Sequence, residues 1–446
     1  LNIALIGLSV WLSAVDLPAG TELQYAGALN HQAKCDSNEV KAFSLYALAI
    51  TAEDGRPQLA WYVDERGAGG WGWPERLGIL PLGEAAIPKY AAMRLLYSHE
   101  GQRFPLFVRS PIVDFRDKLT PQSTWTDGRH QYNVTRQRKV KDRECVQVEV
   151  SSNLGRYQTL VIETATGILM SLDERVIIGR GDEYQLKMEL QSQNRLSGTD
   201  LAKSKTVIDS MTALHASLER TGEQQVLELT PEQVASIQKT LPKLEHDSEG
   251  TFWSRVAAAI SRDVQIQQKR LEGIAGLQKK LIGQPQPEWK LKLTDGMPVS
   301  SQDLSGKVII LHFWQYRGEP LNEPYGQIGY LDFLYSKRKK LGIRVIGVNV
   351  DERYANPQQT AAANRSMRGL LEFMRLSYDM ATDNGSVLAE FGDPRSLGAP
   401  LPLWVVIGHD GKVVHYHTGI YDIKPDDGLK ELDEVVIDAV RRQNGK

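Results

Sequence analysis

The stretch LSGKVIILHFW (Leu304–Trp314) opens on a turn and continues as an apolar run from Val308 to Phe313. β-Branched and large apolar residues follow one another there without polar alternation. That is the pattern of a strand buried on both faces, as in a parallel sheet covered by helices. Downstream, Leu321 to Lys340 reads as a helix, IRVIGVNVD (Ile343–Asp351) as a second buried strand, and Gln358 to Leu376 as a helix. Leu403 to Ile407 and Lys412 to His417 follow as strands joined by the turn His409-Asp410-Gly411. Strand, helix, strand, helix and hairpin make an α/β layer on a mixed sheet.

Upstream, GQPQPEW (Gly283–Trp289) marks a boundary, because its two prolines end the preceding helix. Before it, residues 197–283 carry helical periodicity. Val207, Ile208, Met211, Leu214 and Leu218 form one stripe. Thr230-Pro231-Glu232-Gln233 is a capping box, and Leu241-Pro242 is read as the close of that short helix. Phe252 to Leu281 keeps a near-3.6 spacing, with Arg262, Lys269, Arg270, Lys279 and Lys280 on a solvated face. This region is expected to be a helical connector that spaces two domains.

Residues 17–196 read as an antiparallel β-rich domain. Val146, Val148 and Val150 alternate with polar residues, as do Leu160 with Ile162, and Ile168, Met170 and Leu172. Thr166-Gly167 supplies a turn, and a meander with one wet face is expected. Trp61 to Gly78 sets three tryptophans among glycines and charges, and is expected to be an aromatic-anchored loop or, more sharply, a ligand-binding loop. Leu1 to Val15 is uncharged and shorter than a spanning helix. Residues 1–16 are read as part of a secretory signal, which places the chain in the periplasm or cell envelope and allows a peripheral membrane contact through the N-terminus.

The chain has 446 residues, with 53 Lys and Arg against 55 Asp and Glu, a formal net charge of −2. That balance gives no bulk electrostatic reason to expect nucleic acid as a partner. Only Cys35 and Cys145 are present, which excludes a disulfide-dense scaffold or a Cys-rich metal cluster. Cys35 lies in a polar loop, and Cys145 in a strand on the face opposite Val146. The two either form one structural disulfide, worth about 4–5 kcal/mol by chain entropy, or remain two thiols. His415 and His417 share a face of a strand, read as an exposed edge, and no metal is assigned to them. No cofactor motif is read.

From Gly283 to Tyr421 the sequence resembles the redoxin branch of the thioredoxin superfamily. That branch contains the alkyl hydroperoxide reductase/thiol-specific antioxidant proteins and the thiol–disulfide oxidoreductases of cytochrome maturation. Gly283-Gln-Pro-Gln-Pro resembles the entry motif, and the run ending in Phe313-Trp314 the first central strand. IGVNVD (Ile346–Asp351) resembles the second strand, LPLW (Leu401–Trp404) the cis-proline segment, and HDGK (His409–Lys412) the hairpin. The resemblance implies a thioredoxin-like fold over residues 284–446 and a Cys-x-x-Cys at the start of the helix after Phe-Trp. Those positions are Gly318-Glu319-Pro320-Leu321, and no Cys occurs between Val146 and Lys446.

Neither Gly nor Leu can attack a disulfide or a peroxide. The domain therefore reads as a degenerate redoxin that binds an extended peptide or protein partner. Trp314, Tyr316, Arg317, Leu401 and Pro402 are the candidate contacts. A thiol–disulfide oxidoreductase or antioxidant enzyme is the alternative that the resemblance implies. A second alternative is a lipid or lipoprotein carrier, because the meander around Thr166-Gly167 resembles the curled sheet of bacterial lipoprotein carriers.

Overall fold

In a computed structural model, the described residues are 17–32, 37–67, 70–82, 92–99, 102–153, 157–179, 181–219, 229–316, 325–423 and 426–443. The chain divides into two compact units, residues 1–267 and 268–446. The segment 197–283 is thereby shared between the two.

The first unit is built on strands β1 (Thr21–Gln32), β2 (Ser37–Thr51), β3 (Pro57–Gly67), β4 (Leu77–Pro81), β5 (Arg94–His99) and β6 (Gln102–Phe107). These are followed by β7 (Thr124–Thr126), β8 (His130–Val140), β9 (Arg143–Ser152), β10 (Tyr157–Glu163), β11 (Leu169–Ile178) and β12 (Asp182–Arg195). Ten of them form one sheet in the order β4-β3-β2-β1-β12-β11-β10-β9-β8-β7, every pair antiparallel, while β5 and β6 make a separate hairpin. The alternating valines of β9 and the apolar positions of β10 and β11 face one continuous core with Leu23, Leu45 and Trp61.

The expectation of one wet face holds for the β8 side and fails for β2 and β3. Leu45 to Ile50 and Leu59 to Val63 are buried without interruption. The cause is a helical cover. Tyr46 stacks on Phe252 with ring centroids 3.3 Å apart, and meets Trp253 edge-on. Trp253 opens α3 (Trp253–Leu281); α1 (Gly198–Ser217) meets Trp73 through His215, and α2 (Pro231–Ser248) packs on α1. Thr230 caps α2 with the complete capping box that the sequence indicates, and Ser197, not singled out in the sequence, caps α1.

Pro242 does not end α2, contrary to expectation. The apolar stripe Val234, Ile237, Leu241 and Leu244 continues past it, and exposed Pro242 lies on the opposite, wet side. Packing of the stripe outweighs the lost backbone bond.

Trp61 to Gly78 is not a single loop. Its first seven residues complete β3 and its last two begin β4. Trp73 is fully buried, its backbone N–H donates to Asp263, and Arg76 pairs with the same carboxylate at 3.3 Å. The aromatic segment is thus a structural tie between the sheet and α3.

The second unit holds β13 (Lys290–Leu293), β14 (Pro298–Ser300), β15 (Ile309–Trp314), α4 (Ile328–Arg338), β16 (Arg344–Val350) and α5 (Pro357–Met374). It continues with β17 (Asp379–Asp383), α6 (Ser386–Glu390), β18 (Leu403–Ile407), β19 (Val413–Thr418) and α7 (Lys430–Gln443). The seven-stranded sheet runs β14-β13-β17-β16-β15-β18-β19, with β15, β16 and β17 parallel and the flanking strands antiparallel. One face packs Ile309, Leu311 and Phe313 against Phe391; the other packs Ile310 and Trp314 against Ile328, Leu331 and Leu432. This is the mixed, helix-covered, thioredoxin-like layer expected. β17 and α7, which the periodicity did not show, complete it.

Candidate functional site

β15 is buried at all six positions and delivers the chain to one end of the sheet at Trp314. Pairing of Phe313 with Leu403 brings the Leu401-Pro402 bond to that same end, and this bond is cis, as the resemblance implied. Beyond the strand, Tyr316 donates its backbone N–H to Asn349 Oδ1 at 2.9 Å. Its carbonyl accepts from the Arg353 guanidinium, which in turn is held by Asp351 at 2.6 Å. Asp351 is 2% exposed and draws the Arg353 pKa upward through hydrogen bonding and charge, against a smaller opposing effect of burial.

Tyr316, Leu401 and Pro402 therefore share one end of the sheet. Trp314 is fully buried there, and its ring stands 6.1 Å from that of Tyr316. It supports the site from beneath. Arg317 and the motif positions Gly318, Glu319, Pro320 and Leu321 lie outside the described residues. Asn349, Asp351 and Arg353 escaped the sequence reading. Their signal was available, since Asn349 is a polar residue inside an otherwise apolar strand.

Behind this end lies an aromatic and imidazole layer. His312 is fully buried between Trp404, 3.9 Å away and nearly parallel, and Trp314 at 6.4 Å. Neither ring nitrogen makes a hydrogen bond of good geometry. Burial pushes its pKa down to about 3, although the Gly326 backbone weakly favours the charged form. Tyr421 is anchored through its backbone to both ends of the Gln327 amide.

His415 and His417 share a face of β19, an edge strand as expected, but that face is half-buried rather than exposed. His415 Nε2 lies 2.7 Å from the Tyr421 hydroxyl, and the His417 ring stacks on Tyr421 at 4.1 Å. Burial, with a smaller contribution from His417, lowers His415 to about 4; burial likewise lowers His417. Among the described residues no group of three or more His, Cys, Asp or Glu is placed to hold a metal ion.

In the first unit Cys145 is a free, buried thiol whose Sγ approaches the Arg143 carbonyl at 3.5 Å. Burial, and then the charge of Glu163, raises its pKa. Cys35 lies outside the described residues.

Residues 282–416 match the AhpC/TSA family. Over these residues the C-terminal unit resembles the redoxins. Over this region the chain is similar to the thiol-disulfide oxidoreductase ResA of Bacillus anthracis, at 26% identity over 146 residues, which is 32% of this chain and 74% of the relative. ResA of Bacillus subtilis strain 168 is 25% identical over 145 residues, 32% of this chain and 72% of its own length. Among solved structures, a thiol:disulfide interchange protein of the thioredoxin family from Chlorobium tepidum is 19% identical. It covers 35% of this chain and 95% of its own, with a TM-score of 0.27. The redoxin assignment accords with the strand order and the cis-proline. No cysteine occurs within the matched residues.

Proposed function

We propose that the redoxin domain binds an extended peptide or protein partner without thiol chemistry. The observation that carries this reading is the absence of cysteine from Val146 to Lys446, with Gly318 and Leu321 at the two motif positions. Disulfide exchange and peroxide reduction in this fold both begin with a thiolate attacking sulfur or oxygen. The domain has no atom that can do so. Support for binding comes from the end of the sheet where Phe313 pairs with Leu403, two residues after Leu401, and where Asn349 and Arg353 hold the backbone of Tyr316.

The full chain is expected to give no insulin disulfide reduction and no peroxide consumption above buffer. Turnover at rates typical of redoxins would favour the oxidoreductase alternative. Binding itself is tested by titrating a library of unstructured peptides and comparing wild type with Tyr316→Ala, Arg317→Ala and Leu401→Ala. A loss of about tenfold in affinity supports the site, and unchanged affinity in all three rejects it.

A lipid or lipoprotein carrier role for the N-terminal sheet has less support, because the apolar face of β1 and β9 to β12 is filled by the unit's own side chains. An exported location is part of the proposal and rests on the uncharged Leu1–Val15 stretch. Among the described residues no helix is long and apolar enough to cross a membrane. Fractionation of tagged chain expressed with its own N-terminus checks the location.

A further inference from the structure

The first unit holds an opening of its own. It is a cavity of about 490 Å³ between the edge strand β4 and the segment after β6. Its wall is mostly apolar, with Met93, Val108, Ile112, Phe115, Trp125 and Tyr132. Phe107 stands at it with half of its surface exposed. This volume lies in the range of cavities that hold small organic ligands.

Two cations line the cavity, Arg109 and the exposed Lys118. Arg109 is half-buried, and its guanidinium carbon lies 5.6 Å from the Phe115 ring centre and 5.7 Å from that of Tyr132. Its hydrogen bonds go to neutral acceptors, Gln158 Oε1 at 2.7 Å and the Tyr132 hydroxyl at 3.4 Å. Among the described residues no carboxylate is within ion-pair distance of it.

The nearby acids are otherwise engaged. Glu174, 1% exposed, takes the Gln158 amide at 2.9 Å and so buttresses Arg109 from behind. Burial alone would raise the Asp127 pKa. Hydrogen bonds from the backbones of Arg129 and His130, the His130 ring and the Tyr132 hydroxyl outweigh that and hold it low. Asp114 and Lys118 also line the cavity, and both are exposed. The fork of Arg109 is thus fixed in place, no carboxylate among the described residues pairs with its charge, and the surrounding wall is aromatic. A planar carboxylate matches such a fork, and an apolar body matches the wall.

We propose that this cavity binds a small apolar carboxylate whose anionic head is held by Arg109. The test is calorimetric titration of the full chain with decanoate, decan-1-ol and decylammonium, which share one tail and differ in head charge. Decanoate is expected to bind saturably and at least about tenfold tighter than either of the others. Arg109→Met is expected to bring decanoate to the level of the alcohol, and Arg109→Lys to keep the preference.

The wild-type comparison alone decides the matter if Arg109→Met fails to fold, as circular dichroism would show. The proposal is overturned by no saturable decanoate binding, by equal affinity for the three heads, or by a folded Arg109→Met that keeps the carboxylate preference.

Discussion

His312 is uncharged at neutral pH, because a fully buried imidazole between two indoles has no water to solvate its proton. Its folded pKa of about 3 lies below the ordinary value of 6.5. The unfolded chain therefore binds the extra proton between those pH values, and stability must fall as pH drops through that window. From pH 7 to pH 5 the loss from this residue is about 2 kcal/mol. His415, with a folded pKa of about 4, acts with the same sign. His312→Phe keeps a planar ring against Trp404 and removes the titration. Urea denaturation of the variant is expected to show a flatter acid limb, and an unchanged limb would contradict the assignment. Cys145 supplies a second residue-scale expectation. A buried thiol with a raised pKa should resist alkylation in the native chain and react in guanidinium, which peptide mass mapping reads directly.

At the scale of elements, β1 depends on a residue without a side chain. A Cβ at Gly27 would sit 2.7 Å from the Lys187 carbonyl on β12 and against the Phe43 ring on β2. Gly27→Ala is expected to destabilise the first unit by about 2 kcal/mol or more, through overpacking, as a shift in the denaturation midpoint. Helix α2 invites the opposite change. Exposed Pro242 sits inside it and interrupts the backbone ladder while the apolar stripe carries on. Pro242→Ala is expected to stabilise by about 1–3 kcal/mol with little change in helical signal. The proline was misread as a helix end because its local penalty is visible in sequence, whereas the packing that overrides it is not. The same reason hid β17. Met380 and Ala381 are buried there between polar neighbours, in a strand too short for a period to show.

Within a whole unit, a single buried ion pair ties separate parts of the first sheet domain together. Lys41 Nζ on β2 meets Glu65 on β3 at 2.8 Å, with both side chains almost wholly inaccessible. Glu65 also accepts the backbone N–H groups of Trp71 and of Leu96 on β5. Lys41→Met would leave that carboxylate without its counter-charge and is expected to cost about 3 kcal/mol. Adding Glu65→Leu should recover only part of the loss, since two backbone donors then go unpaired. Thermal unfolding of the single and double variants measures both effects. By itself, the sequence determined the α/β layer of the second unit, the meander of valine-rich strands, the capping box at Thr230 and the confinement of both cysteines to the first unit. These follow from period, turn chemistry and residue identity, which are local. Only the tertiary structure decided which polar residues converge. Asn349 and Arg353 were brought to Tyr316, Tyr421 to the paired histidines, and Arg109 to the aromatic wall of a cavity. The physical reason is that burial and charge compensation belong to neighbours in space. Strand register and helix cover create those neighbours, and neither can be read from spacing along the chain.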